Sequence, residues 1–191
     1  MRTNLTHCIL AGLGLALASQ AQAATVTGNI TSTLTLIAAC QVNGSSASSG
    51  LNFGTLNFGT QDALFSSANA QVLGGTGSAL SILCSAGSIP AIRVRAGSHD
   101  GQSSGGTRAL ADGAGNFVPY DFYTDTGRTQ VLVIDATITL PTSTGVAQTV
   151  NLYGQARGKA GLPAGVYTDT VAVELSFSVM RRLLGGLAVL A

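Results

Sequence analysis

The residues with the clearest capacity for chemistry stand between His99 and Gly105. His99 and Asp100 lead into Gly101-Gln-Ser-Ser-Gly105, which matches the G-x-S-x-G pattern of a hydrolase nucleophile. That chemistry needs a strand before the serine and a helix after it, so that the hydroxyl stands exposed on a sharp turn. Here a Gly/Ser-rich stretch continues into Gly106-Thr107-Arg108, and His99 is only four positions from Ser103. The match reads as a chance one in low-complexity sequence. Asp121, Asp125 and Asp135 are the next candidates, as an acid pair or as calcium ligands. Their spacing fits neither a glycosidase signature nor an EF-hand loop, and aspartates at turns and strand edges account for them. Gly74, Gly75 and Gly77 lack the lysine of a phosphate loop and read as a turn. No catalytic residue, metal or cofactor is expected, and the chain is not read as an enzyme.

The cysteines carry a firmer signal. Residues 1–23 have the form of a secretory signal: Arg2, an apolar core from Ile9 to Ala18, and Ala21-Gln22-Ala23 before the cleavage point. The apolar run is too short to span a bilayer. Leu5-Thr6-His7 is not the small-residue box that a lipoprotein would carry before Cys8. Cleavage removes Cys8 and leaves Cys40 and Cys84, 44 positions apart. That spacing excludes a C-x-x-C motif, and in an oxidising compartment the pair reads as one disulfide, with metal or redox chemistry as the alternative.

Charge says little about partners. Charged residues make up 9% of the 191, and without Arg2 the acidic and basic residues balance. There is no basic patch for nucleic acid and no acidic tail. No segment beyond the signal reaches transmembrane length, so stable membrane insertion is not expected. Tryptophan is absent, Lys159 is the one lysine, and Gly, Ser, Thr, Ala and Val are abundant. Such a composition suits an all-β extracellular protein.

The elements that would position any site are strands. From Ala24 to Leu36 every odd position is polar, while Val26, Gly28, Ile30, Ser32, Leu34 and Leu36 form the other face. Alternation of this kind gives a strand one wet and one dry face. Pattern alone leaves open whether that strand pairs within its own domain or with a neighbour. Leu51-Asn-Phe-Gly-Thr and its echo at 56–60 read as a strand with a glycine bulge. Further strands are expected at 78–85, 90–96, 118–124, 130–140 and 148–155. Residues 97–116 are expected to form a mobile surface loop with a short strand at 107–110. The last strand runs from Tyr167 to Val179, with apolar odd positions broken only by Asp169. These short strands, with turn signals between them and no amphipathic helix, predict a single β-sandwich.

The segments Phe-Gly-Thr-Leu-Asn-Phe-Gly (53–59), Ser-Ile-Leu-Cys (81–84), Val-Asn-Leu-Tyr-Gly-Gln-Ala (150–156) and Leu-Pro-Ala-Gly-Val-Tyr-Thr-Asp-Thr-Val-Ala-Val-Glu-Leu-Ser-Phe (162–177) stand together in this chain. In this order, after a signal and a Thr-rich strand, they resemble the spore coat protein U domain found in subunits of archaic (Csu-type) chaperone–usher pili. The resemblance covers about residues 24–177. It implies an incomplete immunoglobulin-like sandwich completed by a donor strand from a neighbouring subunit. It also implies a periplasmic chaperone, an outer-membrane usher and other pilus subunits as partners, a homopolymer among them. Export would then run through the periplasm to a pilus on the cell surface. Carried onto this sequence, Val26, Gly28, Ile30 and Ser32 would be the donor residues, and Leu34 and Leu36 would belong to the chain's own first strand. Val171, Val173, Leu175 and Phe177 would line the acceptor groove.

Residues 178–191 depart from that pattern. Met180-Arg-Arg followed by an apolar run reads like the start of another signal peptide, as a gene-boundary error would produce. A genuine tail occupying the chain's own groove is the alternative. Two functions are thus expected: a structural pilus subunit supporting adhesion or biofilm formation, or a secreted, self-complete β-sandwich acting as a coat or carbohydrate-binding module. The low aromatic content, 5%, weighs against sugar binding, which favours exposed aromatic platforms.

Overall fold

The computed structural model describes residues 24–75 and 77–179. The expected signal at 1–23 and the tail from Met180 onward lie outside the described residues. The described chain is all-β, with twelve antiparallel strands and no helix. It divides into two units between Thr35 and Leu36.

The first unit, in its described part, has no strand. Val26, Ile30 and Leu34 are exposed, Ile30 to 96%. Leu36, at the start of the second unit, is also exposed, and the first strand begins only at Cys40. Among the described residues the expected strand at 24–36 therefore forms no ladder, Leu34 and Leu36 included. Alternation gives a segment the capacity to bury one face, but a ladder also needs a partner edge.

The second unit holds three sheets. β1 (Cys40–Val42), β4 (Leu80–Cys84) and β10 (Gln148–Val150) make the first, in the order β1-β4-β10. The largest runs β2 (Thr55–Leu56), β3 (Ser67–Leu73), β11 (Tyr153–Arg157), β7 (Phe117–Tyr123), β6 (Arg108–Ala111), with β8 (Val131–Leu132) also paired to β7. The third places β12 (Val171–Val179) at the edge, then β5 (Ser88–Gly97), then β9 (Thr137–Thr139). All three sheets contribute to one apolar core.

Alternation accounts for much of that core. Leu80, Ile82 and Cys84 of β4 are buried, as are Ile92 and Val94 of β5. On the outer face of β5, Arg93 and Arg95 pair with Asp135, and Arg95 also reaches Glu174. In β7, Val118, Tyr120 and Phe122 face the core, and Tyr123 and Asp121 are buried on its other side. Two expected strands are each divided. Residues 130–140 break at a turn where Asp135 takes a positive φ of 65°. Residues 148–155 switch sheets, with β10 pairing β4 and β11 lying between β3 and β7.

Residues 51–60 form far less strand than expected, since only Thr55–Leu56 pairs, with β3. The echoed sequence instead makes two matched turns. Asn52 Oδ1 accepts from Gly54 N at 2.8 Å, and Asn57 Oδ1 accepts from Gly59 N at 2.8 Å. Asn side chains favour such local turns over a ladder. Gly54 adopts a φ of 134°, and a Cβ there would come within 2.6 Å of Leu73 O. The 97–116 segment is a chain of turns leading into β6, whose Arg108 is fully buried. The last strand extends two residues past the expected domain boundary at 177, because its alternation continues through Ser178 and Val179.

Cys40 and Cys84 stand directly opposite in the β1–β4 ladder and form a disulfide. The bond ties the N-terminal edge strand to the centre of its sheet. Replacing Cys40 or Cys84 with Ser is expected to reduce unfolding free energy by up to about 4 kcal/mol, the chain-entropy value for a loop of this length. Denaturant unfolding of the exported variants measures the loss. Two free thiols in the mass spectrum of the wild-type protein would contradict the bridge.

Candidate functional site

The sequence-level chemical candidates are dispersed into local structural roles. His99 Nδ1 lies 3.2 Å from Asp169 Oδ1, and Ser103 is buried away from any such pairing, its hydroxyl without a hydrogen-bond partner. Asp125 accepts from the backbone N–H groups of Thr129 and Gln130, which hold its carboxyl below the usual range. Asp121 accepts from Thr107 N and Oγ1 and meets Arg157 at 3.4 Å. Asp135 pairs with Arg93 and Arg95. Gly77 N donates to Gly74 O, as a turn would have it. Among the described residues no group of three His, Cys, Asp or Glu is arranged to hold a metal ion.

The feature that stands out is a long apolar groove within the second unit. Its floor is the core face of the largest sheet. The register places Ala68, Ala156 and Tyr120 side by side there, with Val72, Leu152, Phe122 and Leu110 on the same face. One wall is the segment 50–62, with Leu51, Phe53, Leu56 and Phe58 half-buried against the core. The other wall runs from Leu162 to Val173, ending in the first residues of β12. Two cavities, of about 660 Å³ and about 750 Å³, lie along this trough. They share Thr55, Leu56, Phe58, Leu110 and Asp169 in their linings.

β12 is the edge of its sheet, and one side of it is paired to β5. An edge strand presents a row of N–H and C=O groups to any chain that can pair with it. The groove and this edge run together at Val171 and Val173, so both apolar side-chain space and backbone pairing capacity are offered in one place.

Most polar atoms of the floor are bonded, with Arg108 Nε a buried exception. Asp169 accepts from Ser98 N at 2.9 Å and from the Tyr120 hydroxyl at 2.7 Å. Burial, reinforced by Asp169, pushes the acidity of Tyr120 far out of reach, so its hydroxyl stays a donor. Arg108 donates to Leu132 O and Arg95 O, each at 3.2 Å, and lies over the Phe122 ring. Desolvation by burial lowers its pKa from the ordinary guanidinium value.

Val171 and Val173 border the cavity of about 660 Å³. Leu175 packs on the core and Phe177 is 39% exposed, further along β12. Val26, Gly28, Ile30 and Ser32 are all exposed, in the first unit. Sequence reasoning missed the opposite wall, Leu51 to Phe58, because a two-residue strand leaves no alternation to read. The echo at 51–60 was the available signal: it repeats a leucine and a phenylalanine beside a glycine turn.

The chain is 31% identical over 175 residues to Protein U of Myxococcus xanthus, an alignment covering 88% of this chain and 94% of that protein. Among solved structures it matches the pre-assembly complex of the chaperone CsuC and the tip adhesion subunit CsuE, from archaic chaperone–usher Csu pili of Acinetobacter baumannii. There the identity is 16% and the TM-score 0.44, over 75% of this chain and 41% of the matched one. The family model of the Spore Coat Protein U domain matches residues 25–174. The chain belongs to the Spore Coat Protein U domain family.

Proposed function

We propose that this protein is a structural subunit of a surface pilus, built by donor-strand exchange along the chaperone–usher route. Residues 24–32 of one copy dock in the groove of the next. The observation that carries this reading is the pairing of two incomplete features in one chain. One is a groove whose wall ends in a strand edge that is unpaired among the described residues. The other is an alternating, exposed segment that has no ladder of its own. An extended chain advances about 3.3 Å per residue, so the four positions Val26, Gly28, Ile30 and Ser32 would extend their dry face over roughly 20 Å. Strand addition of this kind draws affinity from main-chain pairing and specificity from alternate side chains.

The same physics gives a periplasmic chaperone its task. An uncovered groove exposes apolar side chains and unpaired backbone, which favours aggregation. A chaperone would cover it until an outer-membrane usher presents the next copy. Adhesion or biofilm formation would then be properties of the finished fibre, with no catalysis required of the subunit. The residues at 1–23 act in this reading as the export signal and 24–177 as the pilus domain. A self-complete coat or carbohydrate-binding protein is the competing outcome: such a chain would purify as a stable monomer without a chaperone.

Deleting Ala24 to Ser32 is expected to leave a chaperone-bound subunit that no longer polymerises. Electron microscopy of cells producing the truncated chain checks this, and fibres of normal length would exclude docking through this segment. A point substitution tests the same contact from one side. Ile30→Asp places an unpaired carboxylate in an apolar groove, at a cost of several kcal/mol. The variant should still accept a wild-type strand but fail to donate its own, and so shorten mixed polymers by blocking growth in one direction. Normal incorporation at internal positions would show that Ile30 does not enter a neighbour's core.

A further inference from the structure

Asp169 breaks the alternation expected from Tyr167 to Val179, and in the fold it lies just before β12, which begins only at Val171. Its side chain is 1% exposed. A carboxylate so deeply buried is costly unless it is paired and hydrogen-bonded. Both oxygens are engaged. Oδ1 accepts from Ser98 N at 2.9 Å and faces His99 Nδ1 at 3.2 Å, and Oδ2 accepts from the Tyr120 hydroxyl at 2.7 Å. Room for it depends on Gly97, where a Cβ would collide with Oδ2.

Backbone bonds hold its segment as well. Thr168 and Ala111 exchange two backbone hydrogen bonds of 2.9 Å, and Ser98 N donates to Thr170 O at 3.1 Å. What Asp169 adds is a grip on Tyr120. The Tyr120 ring lies in the groove floor and meets Phe58 of the far wall edge to face, with centroids 6.0 Å apart. It packs on Phe122 in the same manner at 5.7 Å. A continuous line thus crosses the groove from Asp169 through Tyr120 to Phe58, at the stretch where the two cavities share their lining.

Resting on the strand-accepting role given to the groove above, we propose that Asp169 is its positioning residue. By fixing the Tyr120 ring from the hydroxyl end, it holds the floor and the Phe58 wall at the spacing a docking strand requires before that strand arrives. Pre-organisation of this sort speeds docking by removing an ordering step from the encounter.

The test measures docking of a synthetic peptide of residues 24–36 to the dilute, full exported chain, as separate association and dissociation rates. The unfolding midpoint of the undocked chain is recorded alongside. Tyr120→Phe keeps the ring and removes only the hydroxyl that Asp169 holds. It should slow association about tenfold, the equivalent of one charge-assisted hydrogen bond, and leave dissociation nearly unchanged. Asp169→Leu should slow association at least as much, and Tyr120→Phe covers the case in which that variant fails to fold. A lowered midpoint with wild-type association in Tyr120→Phe would assign Asp169 a stabilising role only and overturn the proposal. Failure of the peptide to dock on the wild-type chain would overturn the strand-accepting reading, and this one with it.

Discussion

The fold of the second unit turns on how the core face of its largest sheet is covered. That face carries Ala68, Val72, Leu110, Val118, Tyr120, Phe122, Leu152 and Ala156, and apolar surface of this extent has to be kept from water. β5, β4 and their neighbours cover part of it, and the segments 50–62 and 162–173 cover its flanks. Between those flanks runs the groove, beside a strand whose second edge has no ladder partner among the described residues. A β-sandwich normally closes such a gap with one more strand. The second unit has none in that position among the described residues, and the groove is the direct consequence.

The rest of the architecture can be understood as holding that trough in shape. The disulfide fixes β1 against β4, where the apolar residues Leu80 and Ile82 enter the core. The chain crosses from one sheet to another between Val150 and Tyr153, which ties the β4 sheet to the groove floor through a two-residue link. The 50–62 wall relies on Asn52 and Asn57, whose side chains satisfy backbone donors that no ladder reaches.

Polar groups are concentrated at the end of the floor near β6, where they act as spacers between elements. Arg108 is fully buried yet bonded to two carbonyls and stacked over Phe122. Asp169 and Tyr120 form a charge-assisted bond across the floor. These groups have little to do with the surface charges. The cluster of Arg93 and Arg95 on β5, Glu174 on β12 and Asp135 in the turn before β9 lies outside, where solvent screens it.

The sequence by itself determined the elements whose alternation is uninterrupted. β4, β5 and β7 were legible because apolar residues at every second position commit one face to a core, and β12 because its alternation is unbroken from Val171 to Val179. The cysteine pair was legible because two thiols remain once the signal is set aside, and the fold brings them together in one ladder. The N-terminal alternation was legible too, but not that it forms no ladder among the described residues. Tertiary structure alone decided the pairings: β3, with its weakly patterned Ser67–Leu73, joins the large sheet only because β11 and β2 lie beside it. It also decided that Leu51 to Phe58 form a wall, that Arg108 is buried, and that Asp169 reaches Tyr120 from a strand away. The physical reason is common to all of these. Alternation is a local property of the chain, whereas register, edge exposure and the partner of a buried charge depend on residues tens of positions distant.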